Sequence, residues 1–225
     1  MIDVRNRLHI DGAVERIDPD REPPGILSIH LKRYDFALPY CKEKQVLDAA
    51  CGVGYGTFHL AQVASFVVGI DRDLDAIAYG ERRFVSNRLS LRVADVADTE
   101  CQNAQFDVIC SFETIEHVAD IPGYLREMAR ILKPEGTYIV STPQVPQTNH
   151  APANPYHRVE FSRVDFESLL FRYFDEIEIY GQRRKQSELH YRLTQFLDRT
   201  GLRSRLPKLT ALRRLMNKGL GTTPF

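Results

Sequence analysis

The sequence predicts an α/β protein, a mostly parallel sheet lying between helices, within 225 residues. Three observations predict it. Short apolar runs recur at 46–48, 67–71, 91–96, 106–112 and 137–141, and several end in an acid. Helical spacing fills the intervals between them, so strand and helix alternate as in successive βαβ units. The runs are also continuous rather than alternating in polarity, as strands covered on both faces are.

Taken in order, residues 26–40 read as a helix, with Ile26, Ile29, His30, Arg33, Tyr34, Ala37 and Leu38 on one face. Val46 and Leu47 form a first strand that ends at Asp48 and opens into a loop with glycines at 52, 54 and 56. An amphipathic stretch, 57–64, follows. Glycine lets the main chain come within contact distance of a ligand, because no Cβ stands in the way. A strand, a glycine loop and a helix together hold nucleotide-like ligands at the helix N-terminus. Spacing narrows the choice: a G-x-G-x-x-G fingerprint fails at Thr57, and no Gly-Lys-Ser/Thr phosphate loop occurs.

The second strand, 67–71, ends at Asp71, 23 positions after Asp48. A carboxylate there suits hydrogen bonds to ribose hydroxyls, and the stem of Arg72 can lie along an adenine face. The third strand, 91–96, carries Asp95 and Val96 near its end. The fourth, 106–112, ends in Ser111 and Phe112, while Asp107 at its start lies away from the ligand edge and reads as structural. A helix over 121–132, a turn at Lys133-Pro134-Glu135-Gly136 and a fifth strand at 137–141 follow. Ser162 with Asp165 reads as the cap of a helix over 162–171. A sixth strand is expected at 174–180; a seventh is not evident, since 187–199 reads as helical.

Asp48, Ala50, Gly52 and Gly54 resemble the D-x-G-x-G-x-G motif of class I S-adenosylmethionine-dependent methyltransferases, with alanine in the first glycine slot. Asp71, Asp95 and Leu132-Lys133-Pro134-Glu135-Gly136 resemble further landmarks of that family, in the same order, between residues 25 and 182. The resemblance implies a Rossmann-like class I fold: a mostly parallel seven-stranded sheet between helices, with an N-terminal helical cap and a C-terminal helical tail. The implied domains are a cap (1–44), a cofactor domain (45–182) and a basic tail (183–225). S-adenosyl-L-methionine is the implied cofactor, leaving as S-adenosyl-L-homocysteine. Its implied contacts are Asp48, Ala50, Gly52, Gly54, Tyr55, Asp71, Arg72, Asp95, Val96, Ser111 and Phe112, with Asp95 toward the adenine amino group. Residues 30–37 resemble a helix lying over the cofactor in methyltransferases near saccharide-assembly genes, which implies Arg33 and Tyr34 at the methionine carboxylate. A surface helix with a salt-bridged Arg33 is the alternative.

The implied reaction is methyl transfer to an oxygen or nitrogen of a small molecule, with a sugar or lipid-linked saccharide as first choice. An inactive cofactor-binding subunit, or an enzyme acting on RNA or protein through the basic tail, are the alternatives. Oxygen acceptors profit from a general base. His117 follows the fourth strand, beside Glu113 and Glu116, and serves either as base or as a loop tether. His157, beside Glu160 in the proline-rich region after the fifth strand, is the stronger candidate for a group facing the acceptor. DNA amino-methylating enzymes carry Asn/Asp-Pro-Pro-Tyr after the fourth strand, where this chain has Ser111-Phe112-Glu113-Thr114, so nucleic acid is disfavoured. Asn154-Pro155-Tyr156 lies too late in the chain to substitute. No metal site is expected, since no His, Cys or Asp pair has ligand spacing on one helix face.

Composition sets outer limits. No apolar run approaches the roughly 20 residues needed to span a bilayer, and the first residues lack the apolar core of a signal peptide. Four cysteines (41, 51, 101 and 110) show no paired spacing, so a reducing cytoplasm is expected. Formal net charge is zero, yet residues 182–225 hold eleven Lys/Arg against two acids, a net +9. Within them Leu206, Leu209, Leu212, Leu215 and Met216 recur at near-helical spacing among basic residues. That basic amphipathic helix reads as packed on the body or on a second copy in a homodimer, as meeting an anionic membrane surface or lipid-linked substrate at the inner membrane face, or as binding nucleic acid.

Overall fold

The computed structural model describes residues 24–182 together with Pro19. They fall into two compact units, whose described parts are 33–177 and, in the second, 24–32 with 178–182. The basic tail lies outside the described residues. The sheet belongs to the first unit. Its strands are β1 (Gln45–Ala49), β2 (Phe66–Asp71), β3 (Leu89–Val93), β4 (Phe106–Phe112) and β5 (Leu132–Ser141). They lie in the order β3-β2-β1-β4-β5, all parallel. The helices are α1 (Pro24–Cys41), α2 (Tyr55–Leu60), α3 (Leu74–Arg83), α4 (Ile121–Ile131) and α5 (Arg163–Leu170). Because β1 pairs with β2 on one side and β4 on the other, the order reverses at β1, and open α/β sheets take ligands at the carboxyl ends of strands on either side of such a reversal.

The continuous apolar runs have a direct cause. Successive strand side chains point to opposite faces, and both faces are covered. Val46, Val67, Val108 and Cys110 pack with Tyr34, Ala37 and Cys41 of α1 and Leu60 of α2. Leu47, Ile70 and Ile109 pack with Tyr124, Leu125, Met128 and Ile131 of α4 on the other face. Full burial of each such side chain contributes about 1.5–3 kcal/mol. The helix starts follow side-chain caps: Asp73 accepts from the Ala76 amide, Asp120 from Gly123 and Ser162 from Asp165. Asp107 accepts from the Gln45 amide and from Lys133 Nζ, both at 2.8 Å, the structural role its position suggested.

Four expectations are corrected. The main sheet has five strands among the described residues, not seven. Residues 174–180 form no strand. Their apolar pattern goes into packing instead, with Phe174 tilted against Tyr138 at 5.1 Å and Ile177 against the α4-side core. The third strand stops at Val93, before Asp95. Ala94 still donates to the Asp71 carbonyl, after which Asp95 and Asp98 pair across a turn. The expected turn at 133–136 lies inside β5, where the register moves from Phe106–Leu132 to Val108–Thr137, so the Pro-Gly pair bulges out of the strand without ending it. The sequence did not signal a small parallel pair, β6 (Gln144–Val145) with β7 (Phe161–Ser162), which closes the proline-rich segment onto the body of the sheet unit. Among the described residues no helix is long and apolar enough to cross a membrane.

A candidate cofactor cleft and a neighbouring histidine–glutamate cluster

The cleft is built at the carboxyl ends of β1 and β2. Asp48, buried near the end of β1, accepts from Thr57 Oγ1 at 2.7 Å and faces the Tyr34 hydroxyl at 3.3 Å. Burial is the main reason its carboxyl is raised from 3.8 to about 7; the bonds from Thr57 and Tyr34 oppose the shift, and Asp71 adds to it. The loop beyond it turns through left-handed backbone at Ala50 (φ 61°), Gly52 (56°) and Gly54 (82°). Alanine in that region carries a strain of about 1–2 kcal/mol that glycine does not. A Cβ at Gly52 would meet nothing within 4 Å, so the main chain is open at that residue, whereas one at Gly54 would lie 2.8 Å from Leu91. At Gly56 the reason for glycine is different: a Cβ there would lie 1.9 Å from the Tyr34 ring.

Asp71, at the end of β2, accepts from the Gly52 amide through one oxygen and from the Asp73 amide through the other, each at 2.9 Å. It therefore ties the glycine loop to the start of α3, and each oxygen keeps a second lone pair. Arg72 beside it is exposed. Asp95 is exposed and accepts from the Ala97 amide at 2.8 Å, while Val96 packs against the α4-side core. Tyr34 is edge-on to both Phe112 (4.9 Å) and Tyr55 (5.8 Å), so three aromatic rings from α1, α2 and β4 meet beside Asp48. Arg33 pairs with Glu113 at 2.9 Å. Ser111 is buried and receives the Tyr124 hydroxyl at 2.7 Å. The structure thus gathers Asp48, Ala50, Gly52, Gly54 and Asp71 along one rim, with Tyr34, Tyr55 and Phe112 adjoining. The hydroxyl of Ser111 belongs to the core behind β4. Thr57, notable in the sequence only for breaking the dinucleotide spacing, holds Asp48, and no sequence signal pointed to that role.

The second assembly follows β4. Glu113 turns the chain at φ 53°, its amide donating to the Ser141 carbonyl at 3.0 Å. A 3-10 turn, Ile115–His117, comes next. Glu116 is fully buried; one carboxylate oxygen accepts from Thr142 at 3.0 Å and the other, Oε1, has no hydrogen-bond partner. Burial, then the charge of Glu113, raises its carboxyl from 4.5 to about 7. His117 Nδ1 lies 2.9 Å from the Tyr156 carbonyl, and His157 Nδ1 lies 2.8 Å from Glu160 Oε1. The two imidazoles meet edge to face with centroids 5.0 Å apart. The Arg158 amide donates to the Glu116 carbonyl at 2.7 Å, which fixes the proline-rich segment on the turn. Both histidines selected from the sequence therefore share one place, together with Glu116, a candidate base from the same turn.

An open parallel sheet with a glycine loop after β1 and an acid ending β2 is an arrangement in which α/β proteins hold nucleotide-like ligands. The family is more specific. Residues 47–140 match the model of the methyltransferase domain. A Mycobacterium tuberculosis protein, a "Probable S-adenosylmethionine-dependent methyltransferase", is 35% identical over 144 residues, 63% of this chain and 52% of its own length. Phosphoethanolamine N-methyltransferase 1 of Triticum aestivum is 35% identical over 101 residues, 44% of this chain and 20% of the enzyme. The chain thus spans about half or less of the length of these relatives. An S-adenosylmethionine-dependent methyltransferase from Mesorhizobium loti superposes with a TM-score of 0.57 at 18% identity, over 79% of this chain and 92% of that one, a likeness of fold. These relatives and the solved structure are named as methyltransferases, and the likeness to the latter is one of fold.

Proposed function

We propose that the protein transfers a methyl group from S-adenosylmethionine to an oxygen or nitrogen of a small molecule. The observation that carries this reading is the meeting of Asp48, the left-handed loop 50–54 with its open Gly52, and Asp71 on one rim at the ends of β1 and β2. The residues fit the cofactor. Asp71 has lone pairs left for two ribose hydroxyls, and the open side of Gly52 admits a ligand against the main chain. Arg33 sits beside Tyr34 and Tyr55 and could reach a carboxylate by sharing the guanidinium it gives Glu113. Ser111 would contribute through its main chain, its hydroxyl being held by Tyr124. Arg72 and Asp95 lie exposed, where an adenine ring could be covered.

The cofactor, once bound, supplies an activated methyl group, so the protein's work is orientation and exclusion of water. Phe112, Tyr34 and Tyr55 provide an apolar wall for that purpose. Beyond β4, His117 and His157 are proposed to face the acceptor and orient it. A sugar or lipid-linked saccharide remains the acceptor proposed from the sequence; likeness to phosphoethanolamine N-methyltransferases is in keeping with a small acceptor. Residues 183–225 are proposed to meet an anionic surface, and the full chain should sediment with phosphatidylglycerol vesicles and be released by salt.

Calorimetry tests the central reading. S-adenosylhomocysteine should bind the full chain and NAD should not; binding of NAD alone, or of neither, would overturn it.

A further inference from the structure

Glu116, His117 and His157 each offer a ligand atom, and these atoms all lie within 4.8 Å of one another. We propose that the three side chains form a binding site for a divalent first-row transition-metal ion.

The hydrogen bonds around the site fix the chemistry of each donor. A carbonyl oxygen can only accept, so the 2.9 Å contact with Tyr156 places the His117 proton on Nδ1 and leaves the Nε2 lone pair facing inward. That Nε2 is 4.0 Å from Glu116 Oε1, too far for a hydrogen bond. Glu160 likewise holds Nδ1 of His157, while Nε2 is 3.0 Å from the side-chain amide of Asn154, a contact that a cation could replace. Metal-ligating histidines characteristically give their other ring N–H to a carbonyl or a carboxylate, and here one of each is present.

Glu116 supplies the second, independent observation. Its Oε1 is buried with no hydrogen-bond partner and points toward His117. Buried polar atoms are rarely left unsatisfied, and an anionic oxygen beside two imidazole lone pairs is satisfied by one positive centre. Donor atoms sharing an ion at about 2.0–2.2 Å stand roughly 3–3.5 Å apart. To reach it from the present spacing the donors would draw together by roughly 1 Å. Two imidazoles and one carboxylate suit zinc, iron, cobalt or manganese; magnesium and calcium prefer oxygen donors throughout. Three protein ligands leave a coordination position open, as in catalytic rather than structural zinc sites.

The test uses the full chain, freed of metal by a chelator and titrated with Co²⁺ while its visible d–d absorption is followed, with Zn²⁺ as competitor. We expect one equivalent to bind and Zn²⁺ to displace it, with Mg²⁺ unable to do so. His117→Gln should weaken Co²⁺ at least tenfold, and since His117 is partly exposed its replacement leaves the fold intact. Glu116→Gln should do the same, whereas Glu160→Gln should cost about 10-fold as a loss of ring orientation. No absorption, or absorption indifferent to His117→Gln, overturns the proposal. S-adenosylhomocysteine binding is measured on the same samples. Cofactor binding without metal uptake removes the metal site alone; metal uptake without cofactor binding leaves the site standing and removes the methyl-transfer reading.

Discussion

The rim at β1 and β2 and the cluster beyond β4 are both polar assemblies at one edge of the same sheet, yet they are finished differently. On the rim every carboxylate has donors: Asp48 has Thr57 and Tyr34, and Asp71 has the Gly52 and Asp73 amides. In the cluster a buried carboxylate oxygen is left over. The rim is a completed cradle whose remaining lone pairs and open backbone at Gly52 are ready for a ligand. The cluster brings three ligand atoms within 4.8 Å of one another, one of them without a hydrogen-bond partner. If that contrast is right, changes on the rim alter cofactor affinity, and changes in the cluster leave it unaltered.

The largest effect should come from Gly56→Ala. Its new methyl group would enter the Tyr34 ring, and overpacking of that kind costs about 3 kcal/mol. Urea denaturation should show it, with loss of S-adenosylhomocysteine binding as Tyr34 is displaced; a wild-type midpoint would mean that the α1–α2 contact is looser than the 1.9 Å approach implies. Asp71→Ala comes next. It should weaken S-adenosylhomocysteine by about 1–3 kcal/mol in calorimetry, and unchanged affinity would remove Asp71 from the cleft. His157→Ala makes the opposite prediction for the cluster: cofactor affinity within about twofold of wild type, and turnover reduced once an acceptor is known. A matching loss of cofactor affinity would join the two regions into one site and end the comparison.

Asp48→Asn tests the cost of a charge in the completed cradle. The native carboxyl is raised to about 7, against 3.8 for an ordinary one. The folded state therefore holds that proton more tightly than the unfolded one, and the resulting stability is fully present below about pH 4 and lost as pH rises through 7. Asparagine carries no such loss. The variant should gain thermal stability relative to wild type as pH rises from 4 to 8, and a difference independent of pH would place the Asp48 charge in a better-solvated site. The smallest effect is expected at Ala50→Gly, which relieves left-handed strain and should add about 1 kcal/mol to stability.

What the sequence made legible was what lies close together along the chain. Residues 48–54 form one continuous loop, and Asp71 ends the next strand, so motif and spacing were enough to place the rim. The strands of the sheet were legible because burial on both faces leaves unbroken apolar runs. At 174–180 the same signal misled: apolar residues that pack as an irregular segment against Tyr138 look like a strand when only their composition is seen. Asp95 was overextended for a related reason, since β3 gives way to a turn two residues before it. The members of the cluster were legible one by one, but not their meeting, because the cluster joins segments about 40 residues apart through main-chain bonds such as Arg158 to Glu116. A search for ligand pairs on one helix face has no means of finding a site whose members come from a 3-10 turn and a distant loop.

A crystal structure of the full chain with S-adenosylhomocysteine tests the central claim most directly. The account predicts both ribose hydroxyls within hydrogen-bond distance of the Asp71 carboxylate, and the amino-acid portion over the 50–54 loop beside Tyr34. A ligand bound elsewhere, with Asp71 still engaged only by the Gly52 and Asp73 amides, would contradict it.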